Sequence, residues 1–202
     1  MSVSRSRTYP LSATRWKSHR RYLHADIPPE LVHWLLDPAS LTLRLQQLCG
    51  AQFRVRVLGQ GWGVPRLDES QALGMAGRAR AIIRQVQLMC DDTPWIYART
   101  VIPATSLRGR LQRLAHLGTR PLGAMLFADR GMQRGVVELA RLVPGQALFA
   151  DAMQRGSLAR TIWGRRSVFR IDSLPLLVSE IFLPGFPCAR VRRPAGGPAR
   201  KM

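Results

Sequence analysis

The stretch Leu174-Pro-Leu-Leu-Val-Ser-Glu-Ile-Phe-Leu183 constrains the fold more than any other part of the chain. Side chains alternate faces along a strand. Read that way, one face carries Leu174, Leu176, Val178, Glu180 and Phe182, and the other carries Leu177, Ser179, Ile181 and Leu183. Both faces are mostly apolar, which predicts a strand covered on two sides. Glu180 is the anomaly. An isolated buried carboxylate is expensive, so this one needs a partner, a hydrogen-bonding role or a ligand.

Further strands fall into hairpins around this one. Gln52 to Leu58 alternates, with Phe53, Val55 and Val57 inward and Arg54 and Arg56 outward. Arg78 to Met89 places Ile82, Arg84, Val86 and Leu88 on one face. Cys90-Asp-Asp-Thr-Pro is turn chemistry, and Trp95 to Ile102 returns beside it. Arg99, among apolar neighbours there, is expected to serve a core acid or carbonyl. Gln133 to Leu142 reads as one strand, and Val168 to Ile171 closes a second hairpin with the 174–183 strand.

Helices are expected near residues 26–36, with Asp26 as cap, and from Leu41 until Gly50 ends the run. Another is expected after Ser106, with Leu107, Leu111 and Leu114 as its stripe and Gly118 as its stop. A short helical turn follows, opened by Pro121. Residues 59–65 read as a flexible connection, 67–77 as a polar mobile segment, and 144–159 as irregular or briefly helical. The Gly-x-Gly-x-Gly at 59–63 lacks a following helix with Gly-Lys-Ser/Thr, so it is not a phosphate loop. Tight returns imply antiparallel pairing, and the helices segregate. The predicted class is α+β: a single antiparallel sheet with helices clustered on part of it.

A chain of 202 residues buries a core without disulfides and fits one domain. The expected division is a basic disordered extension over 1–24, a folded body over 25–187 and a basic tail over 188–202. Of the net charge of +19, residues 1–25 supply +6 and residues 188–202 supply +5. Basicity concentrated in tails supports weak polyanion attraction and argues against specific nucleic-acid readout. No apolar run reaches the roughly 20 residues of a membrane span. Cys49, Cys90 and Cys188 are odd in number and lack a C-x-x-C, which predicts reduced thiols in a cytoplasmic protein.

The sequence excludes much chemistry. His19, His24, His33 and His116 have no metal-ligand spacing, and no metal is expected. There is no nucleophile elbow, Rossmann fingerprint or Walker motif. What remains is a pair of charges on apolar strand faces, Arg84 and Glu180. They read either as a buried ion pair or as polar ends of a small pocket. In the second reading Arg84 clamps a carboxylate and Glu180 meets a hydroxyl or moves a proton.

Several segments together resemble bacterial chorismate pyruvate-lyases. They are Arg84 through Trp95, Ala98-Arg-Thr-Val-Ile-Pro103, Leu117-Gly-Thr-Arg-Pro-Leu-Gly123 with Leu126-Phe127, Trp163-Gly-Arg-Arg-Ser167, and Leu176 through Pro184. Order and spacing agree over residues 25–187. The resemblance implies an antiparallel sheet with flanking helices. It implies conversion of chorismate to 4-hydroxybenzoate and pyruvate, the first committed step towards ubiquinone, with no cofactor. It maps ligand contacts to Leu41, Arg84, the Leu122 backbone amide and Glu180, with Arg84 and Glu180 catalytic. Arg80 shares the parity of Arg84 and is the alternative clamp. Leu41 stands where relatives commonly have Met. Glu180 is expected to act as acid or base, or only to orient the 4-hydroxyl during a cyclic hydrogen transfer. A monomer is expected; product inhibition is expected because the product keeps the carboxylate and the 4-hydroxyl, and flexible segments such as 59–77 are candidate lids. The competing reading is a non-enzymatic sensor of aromatic acids on the same fold.

Overall fold

The structure, a computed structural model, describes residues 12–22, 26–153 and 160–187. His24, most of the 1–24 extension, the whole 188–202 tail with Cys188 and the close of the 144–159 segment lie outside those residues.

The described residues build eight strands and five α-helices. Lys17–Ser18 forms β1, and Pro29–Leu35 and Leu41–Cys49 form α1 and α2. Phe53–Gly63 is β2 and Leu67–Leu73 is α3. Ala81–Cys90 and Thr93–Pro103 are β3 and β4, and Leu122–Ala128 is α4. Gln133–Arg134 and Glu138–Leu142 are β5 and β6, and Ala147–Met153 is α5. Ile162–Ile171 and Leu174–Phe182 close the fold as β7 and β8. All strands share one antiparallel sheet in the order β1-β6-β7-β8-β4-β3-β2, with β5 added on β7. The predicted α+β class is the observed one.

β8 lies at the centre, between β7 and β4, and its two apolar faces have separate covers. On one face α1, α2 and α4 and a 3-10 turn over Gly109–His116 pack against even-numbered residues of β3, β4 and β8. On the other face α3 packs against Val101 and Leu177, and α5 against Tyr97 and Ile181. Covering a central strand from both sides is what its apolar pattern demands.

Several local expectations are corrected. β1 pairs with β6, so the paired body includes residues ahead of Ala25. The glycine-rich stretch after Leu58 is not a loop: β2 runs on to Gly63, with a register shift between Val57 and Gly59. Its backbone ladder to β3 needs no side chains, and a Cβ at Gly63 would come within 2.9 Å of the Ile83 side chain. Val57 is exposed rather than inward. The supposed mobile segment contains α3, whose Glu69 accepts from the Arg66 N–H at 2.9 Å and caps the helix. α3 sits on the face away from α1, α2 and α4, so this part of the 59–77 region expected as a lid covers the other side of the sheet.

The helix expected after Ser106 is a 3-10 helix over Gly109–His116, and the Ser106 hydroxyl donates to the Pro175 carbonyl at 2.7 Å instead of capping. Pro28, not Asp26, occupies the cap of α1. The 133–142 strand is broken into β5 and β6. Cys49 and Cys90 are not free thiols; they form a disulfide that ties the end of α2 to the end of β3. α2 starts at Leu41 and Gly50 ends it as expected, and the Ser40 hydroxyl caps it by accepting from the Leu43 N–H.

Candidate active site

Strand register builds the floor of a cavity from its smallest side chains. Thr100 of β4 pairs with Arg84 of β3 and Val178 of β8. Two residues along, Ala98 pairs with Val86 and Glu180. All six point to the face covered by α2 and α4. Ala98 and Thr100 are short, so a hollow forms between the longer flanking residues. Arg84 and Glu180 stand on its two sides, two strand spacings apart, roughly 10 Å.

The roof comes from the first turns of α2 and α4. Ser40, Leu41 and Thr42 meet Pro121, Leu122 and Gly123 above the hollow. Gly123 permits that approach, because a Cβ there would lie 2.6 Å from the Thr42 hydroxyl. Val55, Leu88, Phe127 and Phe169 complete apolar walls. The space between floor and roof, with the open solvent at its mouth included, is about 540 Å³. It suits a single small ring with few polar substituents.

Arg84 is 2% exposed and has no carboxylate partner among the described residues. Its Nη1 and Nη2 donate to the carbonyls of Gly118 and Arg120, both at 3.2 Å. Burial pulls its guanidinium below the ordinary arginine value. A desolvated cation held only by neutral carbonyls favours an incoming anion. Each terminal nitrogen keeps a second N–H for one.

Glu180 faces the same space, and Arg165 stands directly opposite it in the β7–β8 register. The Arg165 Nε donates to Glu180 Oε2 at 2.6 Å. Its Nη1 donates to the carbonyls of Trp34 and Asp37, at 2.7 and 2.8 Å. The two floor arginines therefore perform matching structural tasks: Arg84 holds the loop that enters α4, and Arg165 holds the turn that enters α2. Among the described residues no side chain bonds to Glu180 Oε1, which leaves that oxygen as an acceptor for a ligand.

All four sequence-derived contact positions, Leu41, Arg84, Leu122 and Glu180, line this one cavity. Arg84 and Glu180 do not form an ion pair with each other. Arg80 is exposed and precedes β3, outside the lining. Leu122 is the first residue of α4, so its N–H has no acceptor within the helix. Sequence reasoning missed Arg165. Its signal was present: a charged residue at the position of Trp163-Gly-Arg-Arg-Ser that falls opposite Glu180 once the hairpin turn at Asp172-Ser173 is placed. Arg99, by contrast, does bond a core acid, Glu69, at 2.6 Å on the reverse face. Among the described residues no cluster of three or more metal-ligating side chains occurs.

Comparison with known proteins bears on this geometry. Residues 12–190 match the family described as chorismate lyase. The chain is 43% identical over 152 residues to the probable chorismate pyruvate-lyase of Methylococcus capsulatus, covering 75% of this chain and 93% of the relative. It is 41% identical over 175 residues to that of Dechloromonas aromatica, covering 86% and 97%. Among solved structures, PhnF from Mycobacterium smegmatis superposes with a TM-score of 0.51 at 15% identity, over 74% of this chain and 65% of that one. A GntR-family transcriptional regulator from Bacillus cereus gives 0.50 at 12% identity, over 66% and 93%. These two likenesses concern the fold alone. With a family match over most of its length and relatives above 40% identity, this chain belongs to the chorismate lyase family and is a lyase.

Proposed function

We propose that the chain converts chorismate to 4-hydroxybenzoate and pyruvate, supplying the aromatic precursor of ubiquinone. The observation that carries this reading is the pairing of Arg84 and Glu180 across one small apolar cavity. The ring carboxylate of chorismate lies against Arg84, and the 4-hydroxyl donates to the open oxygen of Glu180. Leu41 and Leu122 press on the ring from the roof, and the Leu122 amide donates to the ligand as the family resemblance implies.

In the reaction the C3–O ether bond breaks and the hydrogen on C4 leaves. The ring becomes aromatic, and the enolpyruvyl methylene gains a hydrogen to become the methyl group of pyruvate. Aromatisation supplies the driving force, so positioning and fixed charges can carry much of the catalysis without a cofactor. Glu180 is locked by Arg165 and holds the 4-hydroxyl, which sits on the carbon that loses hydrogen. This arrangement favours an orienting role alongside cyclic hydrogen transfer. Because the product keeps both the carboxylate and the 4-hydroxyl, it keeps both anchors, and product inhibition follows.

The test is an ultraviolet assay of 4-hydroxybenzoate formation from chorismate, run with chelator and without nucleotide. Turnover is expected; well-folded protein without turnover would leave the sensor reading standing. Arg84→Ala is expected to weaken binding of chorismate and 4-hydroxybenzoate alike, by about 10- to 100-fold for a lost charge-assisted contact. Wild-type product affinity in that variant places the clamp elsewhere.

A further inference from the structure

We propose that Arg134 of β5 recognises the second carboxylate of the substrate, the one on the enolpyruvyl arm, and so distinguishes substrate from product. The proposal rests on the chorismate reading above. Chorismate carries two carboxylates and its aromatic product carries one. Arg84 accounts for the carboxylate common to both. The arm leaves the ring at the carbon next to the one bearing the hydroxyl, so it must lie beside Glu180.

Two arginines stand behind that end of the cavity, next to Glu180. Arg165 is already bonded to Glu180. Arg134 is not: it has no carboxylate partner among the described residues. Its Nε donates to the Ser167 hydroxyl at 3.1 Å, and its Nη1 to the carbonyls of Asp37 and Pro38 at 3.2 and 3.0 Å. Nη2 makes no bond among the described residues. The guanidinium carbon lies 5.4 Å from the ring centre of Phe169, which forms part of the cavity wall. Arg134 therefore stands behind the seam between Phe169 and the turn leading to Ser40. Burial and the Arg165 charge both pull it below the ordinary arginine value, so an added anion is favourable there.

Charge balance agrees. Arg84 lines the space, and Arg134 and Arg165 stand behind its wall near one carboxylate, Glu180. The nearby Asp37 carboxylate is matched by Arg44 at 2.7 Å. Together these groups carry an excess of two positive charges. A dianion neutralises both, whereas the product leaves one uncompensated. Loss of the arm carboxylate with pyruvate removes the contact that only the substrate makes.

The experiment compares two ligands at equilibrium by calorimetry. One is 4-hydroxybenzoate. The other is 3-(1-carboxyethoxy)-4-hydroxybenzoate, a stable dianion with the same ring groups and a saturated arm. Arg134→Gln is expected to reduce affinity for the dianion by about 10- to 100-fold and to change affinity for 4-hydroxybenzoate by less than about 3-fold. Arg134→Lys keeps the charge and is expected to recover much of the dianion affinity; it also serves if the Gln variant folds poorly. Equal losses for both ligands would mean that Arg134 only holds the 37–38 turn, and unchanged dianion affinity would place the second cation elsewhere. Either result overturns the proposal. Wild-type protein that discriminates the two ligands but releases no pyruvate from chorismate would overturn the lyase reading instead.

Discussion

At the residue scale, Glu180 was the most informative position in the sequence, because a carboxylate in an apolar strand needs an explanation. Pattern alone made Arg84 an equal candidate for its partner. Both fall on cavity-facing positions, and alternation along a strand cannot say which strands are neighbours. The register resolves this: Arg165 is Glu180's cross-strand partner, and Arg84 lies two strands away. If Glu180 orients the 4-hydroxyl rather than moving a proton, Glu180→Gln should retain an acceptor oxygen and lose the charge-assisted bond to Arg165. Expected turnover is lowered by about 10- to 100-fold but remains measurable, with KM for chorismate raised. Arg165→Met should produce a similar KM effect, and the double variant should lose little more than either single one, as coupled groups do. Additive losses, read from steady-state kinetics of all three variants, would mean that Arg165 supports only the fold.

At the element scale, the clearest misreading was the segment after β2. Glycines at 59, 61 and 63 and the polar run of α3 look mobile when each is judged alone. What orders α3 is a long-range ion pair invisible to local pattern. Glu69 accepts from the Arg99 Nε at 2.6 Å and from its Nη2 at 3.1 Å, with both side chains buried. Burial by itself would raise the Glu69 carboxyl. The Arg99 hydrogen bonds and charge, with the Arg66 backbone and guanidinium, outweigh that and hold it below the ordinary glutamate range. A carboxyl depressed in the folded state contributes stability above its unfolded value of about 4.3, and that contribution disappears as pH falls through the folded value. Glu69→Gln should therefore cost about 3–5 kcal/mol at neutral pH, since it leaves Arg99 buried and unpaired. The gap between variant and wild type, followed by urea unfolding, should narrow as pH drops below about 4.3. A gap constant down to pH 3 would contradict the assigned pairing.

At the scale of the whole molecule, the sheet's centre was legible because a strand apolar on both faces can sit only between two layers. The roof was half legible. Gly50 and Pro121 marked helix ends through local rules, whereas the meeting of α2 with α4 depends on Gly123 lying against Thr42, a contact across 81 residues. The disulfide was illegible for the same reason. An odd set of three cysteines without close spacing carries no pairing information, and only the β2–β3 register brings the end of α2 beside the end of β3. The Cys49–Cys90 bond closes a loop with a sequence separation of 41. By loop entropy it should stabilise the fold by about 4 kcal/mol relative to the reduced chain. For a domain of this size that corresponds to a fall in Tm of roughly 8–16 °C on reduction. The loop starts at the last residue of α2 and carries β2, α3 and Arg84, so its release reaches the cavity from both roof and floor. Thermal melts with and without dithiothreitol should show the shift, and Cys49→Ser should reproduce it in the absence of reductant. Melts that coincide, with thiol titration showing two reactive cysteines more after reduction, would mean that native packing alone holds α2 on the sheet.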